Sequence, residues 1–349
     1  MKAFLHIGTE KTGTTTIQSF LFNNRNKLGK KGIHVLTAAG RGNGRALPSY
    51  AMRHIRFDNF HSMHGISTSL QRKSFDQKIE DDVSCEIDSF GGCDSVVISS
   101  EHFHSRCMFI DEIEKIKYFL DRFFDDIYVI VYLRPQVDMA TSKYTTRLRG
   151  KCSLEFKDFV FSDCVPEKYY YNYKKILDNW KTVFGKRYII PRVFDSDRFL
   201  NGNLIDDYLK LLGTDRSGLN EVLNKNESVT PFGQEILRLN NEFSYNFKVD
   251  KDIDFYHLVK KNVVGLHQGK GMSLSSSDAR KVQSKFDLIN HEVAVEWFGR
   301  DVLFDIDYKN YADGRYLSDN EKDMLRLLFS FQAEIKNNNC FLKDVSNDF

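Results

Sequence analysis

The chain contains little of several features that mark other classes of protein. Its 349 residues include six cysteines but no C-x-x-C pair, which disfavours a zinc site or a thioredoxin-like redox motif. Five prolines are too few for a proline-rich linker. The longest dense apolar run, residues 127–133, is far shorter than the roughly 20 residues of a membrane-spanning helix. We therefore expect a globular protein without an integral membrane segment.

The net charge is also small. Lys plus Arg 50 against Asp plus Glu 48 gives +2, whereas a nucleic-acid-binding protein usually has a larger basic excess or a basic block. The total conceals two basic stretches, at 41–56 and 134–151. The apolar stretch at residues 4–7 runs directly into a polar turn and does not resemble a signal peptide. We expect a cytoplasmic protein with reduced thiols and no nucleic-acid partner.

Strand and helix patterns alternate along the chain. Buried strands are predicted at residues 2–7, 95–99, 127–133 and 187–191. Helices are predicted after Pro135, from Pro231, and at residues 14–28, 110–124, 168–184, 204–212 and 277–298. Irregular connections are expected at 41–70 and 248–274. The alternation predicts an α/β fold with a central parallel sheet.

The turn after the first predicted strand has the composition of an anion-binding loop. Gly8 and Gly13 have the G-x-x-x-x-G spacing of a Walker loop, but the lysine lies inside the loop, at Lys11. Thr14 and Thr15 occupy the positions of the Walker Lys and Ser/Thr. The turn and the following helix N-terminus suit a terminal phosphate or sulfate. Because the Walker lysine and a Walker-B aspartate are missing, we do not expect nucleoside triphosphate hydrolysis.

The next two strands end in residues suited to ligand chemistry. Arg134 ends the third predicted strand, where parallel α/β sheets bind ligands, and Ser142 lies about two turns into the next helix. The arginine can grip a phosphate in bidentate fashion, although a surface ion pair is the alternative. Glu101 ends the second strand and can accept a proton from a hydroxyl, with His102 or His104 as a supporting group or alternative base.

The string from Gly8, G-T-E-K-T-G-T-T-T-I-Q, resembles the 5′-phosphosulfate loop of sulfotransferases that use 3′-phosphoadenosine-5′-phosphosulfate (PAPS), in particular the bacterial branch and carbohydrate sulfotransferases. The resemblance implies a P-loop-like three-layer α/β/α fold, in one domain spanning 1–349 with insertions near 38–75 and 245–275. It also implies PAPS as donor and 3′,5′-adenosine bisphosphate as product, with no metal required. The loop residues assigned to PAPS are Lys11, Thr12, Gly13, Thr14, Thr15 and Thr16.

The same resemblance implies roles outside the loop. An Arg-plus-Ser pair holds the 3′-phosphate in this family, which assigns that role to Arg134 and Ser142. A lysine- and glycine-bearing loop over the adenosine assigns a cofactor role to Lys270, for which a flexible solvent loop is the alternative. Lys11 would stabilise the leaving bisphosphate. Glu101 would be the base, as in several bacterial and glycan sulfotransferases, whereas cytosolic small-molecule sulfotransferases use a histidine.

The first basic stretch carries the candidate acceptor-binding residues. Residues 41–56 contain four arginines and no acid, which suits an anionic acceptor such as an acidic glycan, although a basic surface loop is the alternative. The candidates are Arg41, Arg45, Arg53 and His54. We expect sulfuryl transfer to a hydroxyl of a carbohydrate, either a polysaccharide or a glycolipid. The alternatives are a P-loop small-molecule kinase and a non-catalytic anion- or glycan-binding module.

Overall fold

The computed structural model describes residues 1–40, 42–91, 93–222, 228–246, 253–311 and 313–330. Its strands are β1 (Lys2–His6), β2 (Ile33–Val35), β3 (Ser95–Ser99), β4 (Asp126–Leu133) and β5 (Ile189–Val193). Its first helices are α1 (Thr14–Gly29), α2 (Ala46–Ala51), α3 (Asn59–Met63), α4 (Ser69–Ser89), α5 (His102–Arg106), α6 (Ile110–Leu120) and α7 (Gln136–Arg149). The later helices are α8 (Phe156–Asp163), α9 (Tyr173–Phe184), α10 (Leu204–Leu211), α11 (Pro231–Asn246), α12 (Ile253–Leu266), α13 (Ser276–Gln283) and α14 (Asp287–Val293).

The chain divides into two compact units. The first comprises Met1–Pro135, Pro166–Asn224 and Phe286–Asp305, and it contains all five strands with α1–α6, α9, α10 and α14. The second comprises Gln136–Val165, Lys225–Lys285 and Ile306–Phe349, and it contains α7, α8 and α11–α13. The expected single domain, with insertions near 38–75 and 245–275, stays a prediction.

The sheet of the first unit is parallel throughout, in the order β2-β3-β1-β4-β5. The central strand β1 pairs with β3 on one side and β4 on the other, so that Leu5 is opposite both Ile98 and Val129. The carboxyl ends of the three strands therefore lie at one edge of the sheet. This arrangement confirms the expected α/β fold with a central parallel sheet.

Alternating side chains of the strands pack against helices on the two faces of the sheet. On one face Phe4 and Val97 join a buried cluster with Ile17 and Leu21 of α1 and Tyr208 of α10. On the other face α9 contacts β4 and β5 and packs against α6. The first unit thus has the predicted three layers.

The predicted strands at 2–7, 95–99 and 127–133 are confirmed as β1, β3 and β4, and 187–191 overlaps β5. The three-residue β2 escaped prediction because so short a strand has no measurable periodicity.

Three regional expectations are wrong. The segment 41–70 is not irregular, because it contains α2, α3 and the start of α4, which a capping box between Thr68 and Gln71 begins. The segment 248–274 contains α12, whose lysines and Gly265 weaken the apolar pattern. The single helix predicted at 277–298 is interrupted near buried Phe286, where a 3-10 turn separates α13 from α14.

Candidate active site

The loop that follows β1 is fixed to the neighbouring strand β4. Ile7 N donates to Ile130 O at 3.0 Å, and Tyr132 N donates to Gly8 O at 2.7 Å. Thr9 donates to Tyr132 O from its backbone N at 3.0 Å and from its hydroxyl at 2.9 Å. These bonds extend the β1–β4 pairing beyond the strand, so the loop leaves the sheet in a defined conformation.

Gly8 lets this loop pass close to the end of β3. Its φ of +110° is a conformation that L side chains rarely adopt. A Cβ at Gly8 would lie 3.1 Å from Glu10 N and 3.3 Å from Glu101 Cα. The glycine therefore brings the loop backbone beside the candidate base.

Helix α1 begins directly after Gly13, which has a left-handed φ of +69°. Within the described residues no side chain caps α1, and its first turn contains no acidic residue. Its N-terminal amides and helix dipole therefore favour an anion. The hydroxyl of buried Thr12 donates to Thr9 O at 2.6 Å and stabilises the loop. The threonines of the first turn are buried Thr14, exposed Thr15 and half-buried Thr16.

Lys11 and Arg134, both predicted to bind the cofactor, are hydrogen-bonded to each other at this loop. Lys11 has φ +69°, and its carbonyl accepts a hydrogen bond from Arg134 Nη1 at 3.0 Å. The Arg134 guanidinium also lies 5.8 Å from the ring centroid of Phe194. The backbone carbonyl of Arg134 accepts from Tyr173 Oη at 2.5 Å. The structure thus brings the strand-end arginine to the lysine loop, as the parallel topology predicts.

The other two residues predicted to bind the cofactor belong to the second unit. Ser142 lies in α7, and Lys270 lies in the segment that precedes α13. Their roles toward a 3′-phosphate and an adenosine stay predictions.

Glu101 lies between β3 and α5, separated from the strand by one residue and directly before the helix. Its Oε2 accepts a hydrogen bond from Gln18 Nε2 at 2.5 Å, while its Oε1 lies 4.0 Å from His102 Nε2. Burial raises the pKa of Glu101 above its usual value, against the opposing effects of the Gln18 hydrogen bond and the positive charge of Lys11. The carboxyl group is therefore held in place, 17% exposed, with a higher proton affinity than a solvated glutamate.

His102 is the first residue of α5 and lies between two carboxylates. Its Nδ1 is 4.0 Å from Glu10 Oε1, and its Nε2 is 4.0 Å from Glu101 Oε1. Burial, reinforced by the positive charge of Arg45, lowers the pKa of His102 to about 4. The imidazole is therefore neutral at pH 7.

His104 has a different environment, although it is only two residues away. It is fully buried, its Nδ1 accepts from Glu10 N at 3.2 Å, and its Nε2 is 2.9 Å from Tyr170 O. A carbonyl oxygen can only accept, so Nε2 carries the proton. These bonds connect the lysine loop to α5, and the predicted alternative-base role of His104 stays untested.

Glu10 is a site residue with no predicted role. Its Oε2 accepts from Tyr170 Oη at 3.0 Å, which leaves Oε1 on the side of His102. Burial favours a raised pKa for Glu10, but His104, a hydrogen bond from Ser105, His102 and Tyr170 outweigh it and lower the pKa. Its place next to Lys11 in the anion-binding loop was the available signal. The site therefore contains a second carboxylate besides that of Glu101, and this second carboxylate is ionised.

The predicted acceptor residues have separate ion-pair partners. Arg45 is buried and pairs with Asp58, which also accepts from Arg106 Nε at 2.8 Å. Exposed Arg53 forms a bidentate pair with Asp111 at 2.8 Å, and His54 Nε2 lies 2.8 Å from Asp76. Arg41 lies outside the described residues. Of the three that are described, Arg45 is the one whose charge acts on Glu10 and His102.

The described part of the chain has neither a membrane-spanning helix nor a metal-binding cluster. None of its helices is both long and apolar enough to cross a membrane. No cluster of three His, Cys, Asp or Glu side chains with the geometry of a metal site occurs among the same residues.

Comparison with known proteins gives partial similarities. No family model matches the chain. An uncharacterized protein from Archaeoglobus fulgidus is 30% identical over 148 residues, which are 42% of this chain and 38% of that protein. The match thus spans less than half the length of this curated relative.

Two solved structures are similar to the chain at low sequence identity. One is a sulfotransferase from Alicyclobacillus acidocaldarius, with 14% identity and a TM-score of 0.40 over 75% of this chain and 94% of that one. The other is the sulfotransferase domain of the Synechococcus PCC 7002 olefin synthase, with 13% identity and a TM-score of 0.34 over 82% of this chain and 94% of that one.

Proposed function

We propose that the chain is a PAPS-dependent sulfotransferase that transfers a sulfuryl group to a hydroxyl of a carbohydrate, either a polysaccharide or a glycolipid. The observation that carries the proposal is that Lys11, Arg134 and Glu101 come together where three adjacent parallel strands end. The two cations suit phosphate and sulfate oxygens, and the buried carboxylate suits a hydroxyl proton. The residues thus provide complementary groups for a donor and an acceptor.

The first loop fits a phosphosulfate group. The uncapped N-terminus of α1 and the ammonium group of Lys11 provide positive potential beside a glycine turn. A guanidinium has five N–H donors, so the bond of Arg134 to Lys11 O is compatible with a bidentate phosphate contact. We assign the 5′-phosphosulfate to Lys11 and the start of α1, and the 3′-phosphate to Arg134; the role of Ser142 toward that phosphate stays a prediction.

The mechanism uses this chain's own groups on either side of the transfer. When bound, PAPS supplies an activated sulfuryl group, whose bond to the 5′-phosphate oxygen breaks as a bond to the acceptor oxygen forms. Glu101 Oε1 accepts the proton that the acceptor hydroxyl loses, while Gln18 holds Oε2. Lys11 and the α1 N-terminus stabilise the negative charge that returns to the phosphate.

The electrostatics of Glu101 suit a general base. Its raised pKa lies closer to neutral pH than that of a solvated glutamate, which strengthens proton acceptance while the ionised form remains accessible. His102 is neutral, and its Nε2 lies 4.0 Å from Glu101 Oε1, so we assign it a supporting role.

We further propose that the protein is cytoplasmic. Five cysteines in the described part of the chain form no disulfide, namely Cys85, Cys93, Cys107, Cys152 and Cys164. Free thiols are typical of a reducing compartment.

The test is transfer of labelled sulfate from PAPS to a panel of polysaccharides and glycolipids, combined with calorimetry of 3′,5′-adenosine bisphosphate. We expect one acceptor class to be labelled. Lys11→Ala should reduce labelling by about 10²–10³-fold and weaken binding of the bisphosphate, whereas Lys73→Ala, at an exposed position on α4, should change neither. Phosphorylation from ATP and Mg²⁺ without a response to PAPS would establish a kinase instead. PAPS binding without transfer to any acceptor would establish a binding module.

A further inference from the structure

The ring nitrogen of His102 that faces Glu10 makes no hydrogen bond to the protein groups that the structure describes. The Nδ1 atom of His102 is buried and has no hydrogen-bond partner among the residues that the structure describes. The nearest carboxylate oxygen, Glu10 Oε1, is 4.0 Å away, which is too long for a direct bond. The two side chains as wholes are 21% and 19% exposed, so both border solvent although Nδ1 itself is covered.

A single oxygen atom fits between these two groups. An oxygen at about 2.8 Å from each can bridge two atoms that are 4.0 Å apart. A hydroxyl satisfies both, because it can donate to the Glu10 carboxylate and accept from an imidazole N–H. A carboxylate of the ligand has no proton to donate to Glu10.

The surrounding charges do not favour an anion at this position. Glu10 is ionised, and Tyr170 holds its other oxygen at 3.0 Å. The cation that acts on it, Arg45, pairs with Asp58, which is shared with Arg106. Both guanidinium groups thus pair with Asp58 and not with Glu10, so an acidic group placed beside Glu10 would be repelled by the nearer carboxylate.

We infer that Glu10 and His102 form an acceptor subsite that binds a second, uncharged hydroxyl of the molecule whose first hydroxyl is sulfated. The inference rests on the proposed function, because Glu101 on the other side of His102 receives the reacting hydroxyl. It assigns the acceptor to the neutral polyols, such as unmodified sugar rings, rather than to the uronic acids that the basic composition of 41–56 suggests. Glu10 is thus the residue that determines specificity.

The test compares matched probes on protein loaded with 3′,5′-adenosine bisphosphate. Methyl glycosides of glucose, galactose and mannose, and their uronate counterparts, are titrated by saturation-transfer NMR. We expect a neutral probe to bind on the order of ten-fold more tightly than its uronate. Glu10→Gln keeps the side-chain shape and should bring that ratio close to one. Glu114→Gln, at an exposed position on α6, makes the same charge change and should leave the ratio as in the wild type.

The outcomes are distinguishable. A wild-type protein that binds a uronate as well as its neutral counterpart, or binds no member of any pair, overturns the subsite without the need for a variant. A ratio that Glu114→Gln changes as much as Glu10→Gln overturns the assignment to Glu10. A protein that fails to bind 3′,5′-adenosine bisphosphate overturns the proposed function instead.

Discussion

Replacing Glu101 with glutamine tests the base and its electrostatics together. The amide has the shape of the carboxylate, and its oxygen can still accept from Gln18 Nε2, which is 2.5 Å from Glu101 Oε2. The substitution removes the ability to accept a proton and the negative charge that is buried beside Lys11. It should therefore change turnover and stability in opposite directions.

The expected loss of turnover follows from the value of a positioned base. General-base catalysis contributes roughly 10²–10⁴-fold, so kcat for sulfate transfer should fall by about that factor. Affinity for 3′,5′-adenosine bisphosphate should stay near the wild-type value, because the assigned donor contacts belong to Lys11, α1 and Arg134.

The expected gain in stability follows from the raised pKa of Glu101. Burial disfavours the ionised form in the folded protein, so the wild type loses stability as pH rises through the interval between the ordinary glutamate value and the folded value. Glutamine does not ionise, so the variant does not lose stability over this pH interval. Each ten-fold change in the protonation equilibrium corresponds to about 1.4 kcal/mol. The variant should therefore unfold at a higher temperature than the wild type at pH 7, with the difference disappearing in acid below the ordinary glutamate pKa.

Thermal unfolding at several pH values, labelled-PAPS kinetics and calorimetry of the bisphosphate measure these effects on one preparation. Glu114→Gln, an exposed change of the same charge, should leave all three as in the wild type. Wild-type turnover in Glu101→Gln would refute the base assignment. A lower unfolding temperature at pH 7 would refute the burial argument.

Lys11→Ala should reduce kcat/KM for PAPS by about 10²–10³-fold, the usual loss for a removed oxyanion donor, as steady-state kinetics can measure; an unchanged value would exclude Lys11 from the donor site. Gly44→Ala should lower the unfolding temperature, because the new Cβ would lie 2.7 Å from Ser99 O. The positive φ of +54° alone should cost about 1–2 kcal/mol of stability. Gly42→Ala is the control and should destabilise less, because its φ is also positive but a Cβ there would have nothing within 4 Å. The kcat/KM profile should rise with pH through the raised pKa of Glu101, and a rising limb that persists in Glu101→Gln would assign it to another group.

The sequence predicts the framework of the site because its signals are local. Gly8 and Gly13 mark the loop, and runs of buried β-branched residues mark β3 and β4. In a parallel sheet the ends of neighbouring strands meet, so the association of Lys11 with Arg134 and of the loop with Glu101 follows from topology.

The side-chain partners could not be predicted because they come from distant parts of the chain. Gln18 is 83 residues from Glu101, and Tyr170 is 160 residues from Glu10. The same reason explains the basic segment 41–56. It contains no acid in sequence, yet the fold supplies Asp58 to Arg45 and Asp111 to Arg53. Local composition therefore overstates the positive charge that an acceptor meets.

The strand order separates the two halves of the proposed reaction. Because β1 lies between β4 and β3, its loop has Arg134 on one side and Glu101 on the other. In the proposed reaction Arg134 thus lies on the side of β4, where a donor phosphate would need a cation, and Glu101 on the side of β3, where the acceptor hydroxyl would lose its proton. Glu10 belongs to the lysine loop, yet its side chain lies on the side of His102. In the proposed reaction an ionised carboxylate there would keep anions away from the base and would bind a neutral hydroxyl, so the loop assigned to the donor would also restrict the acceptor.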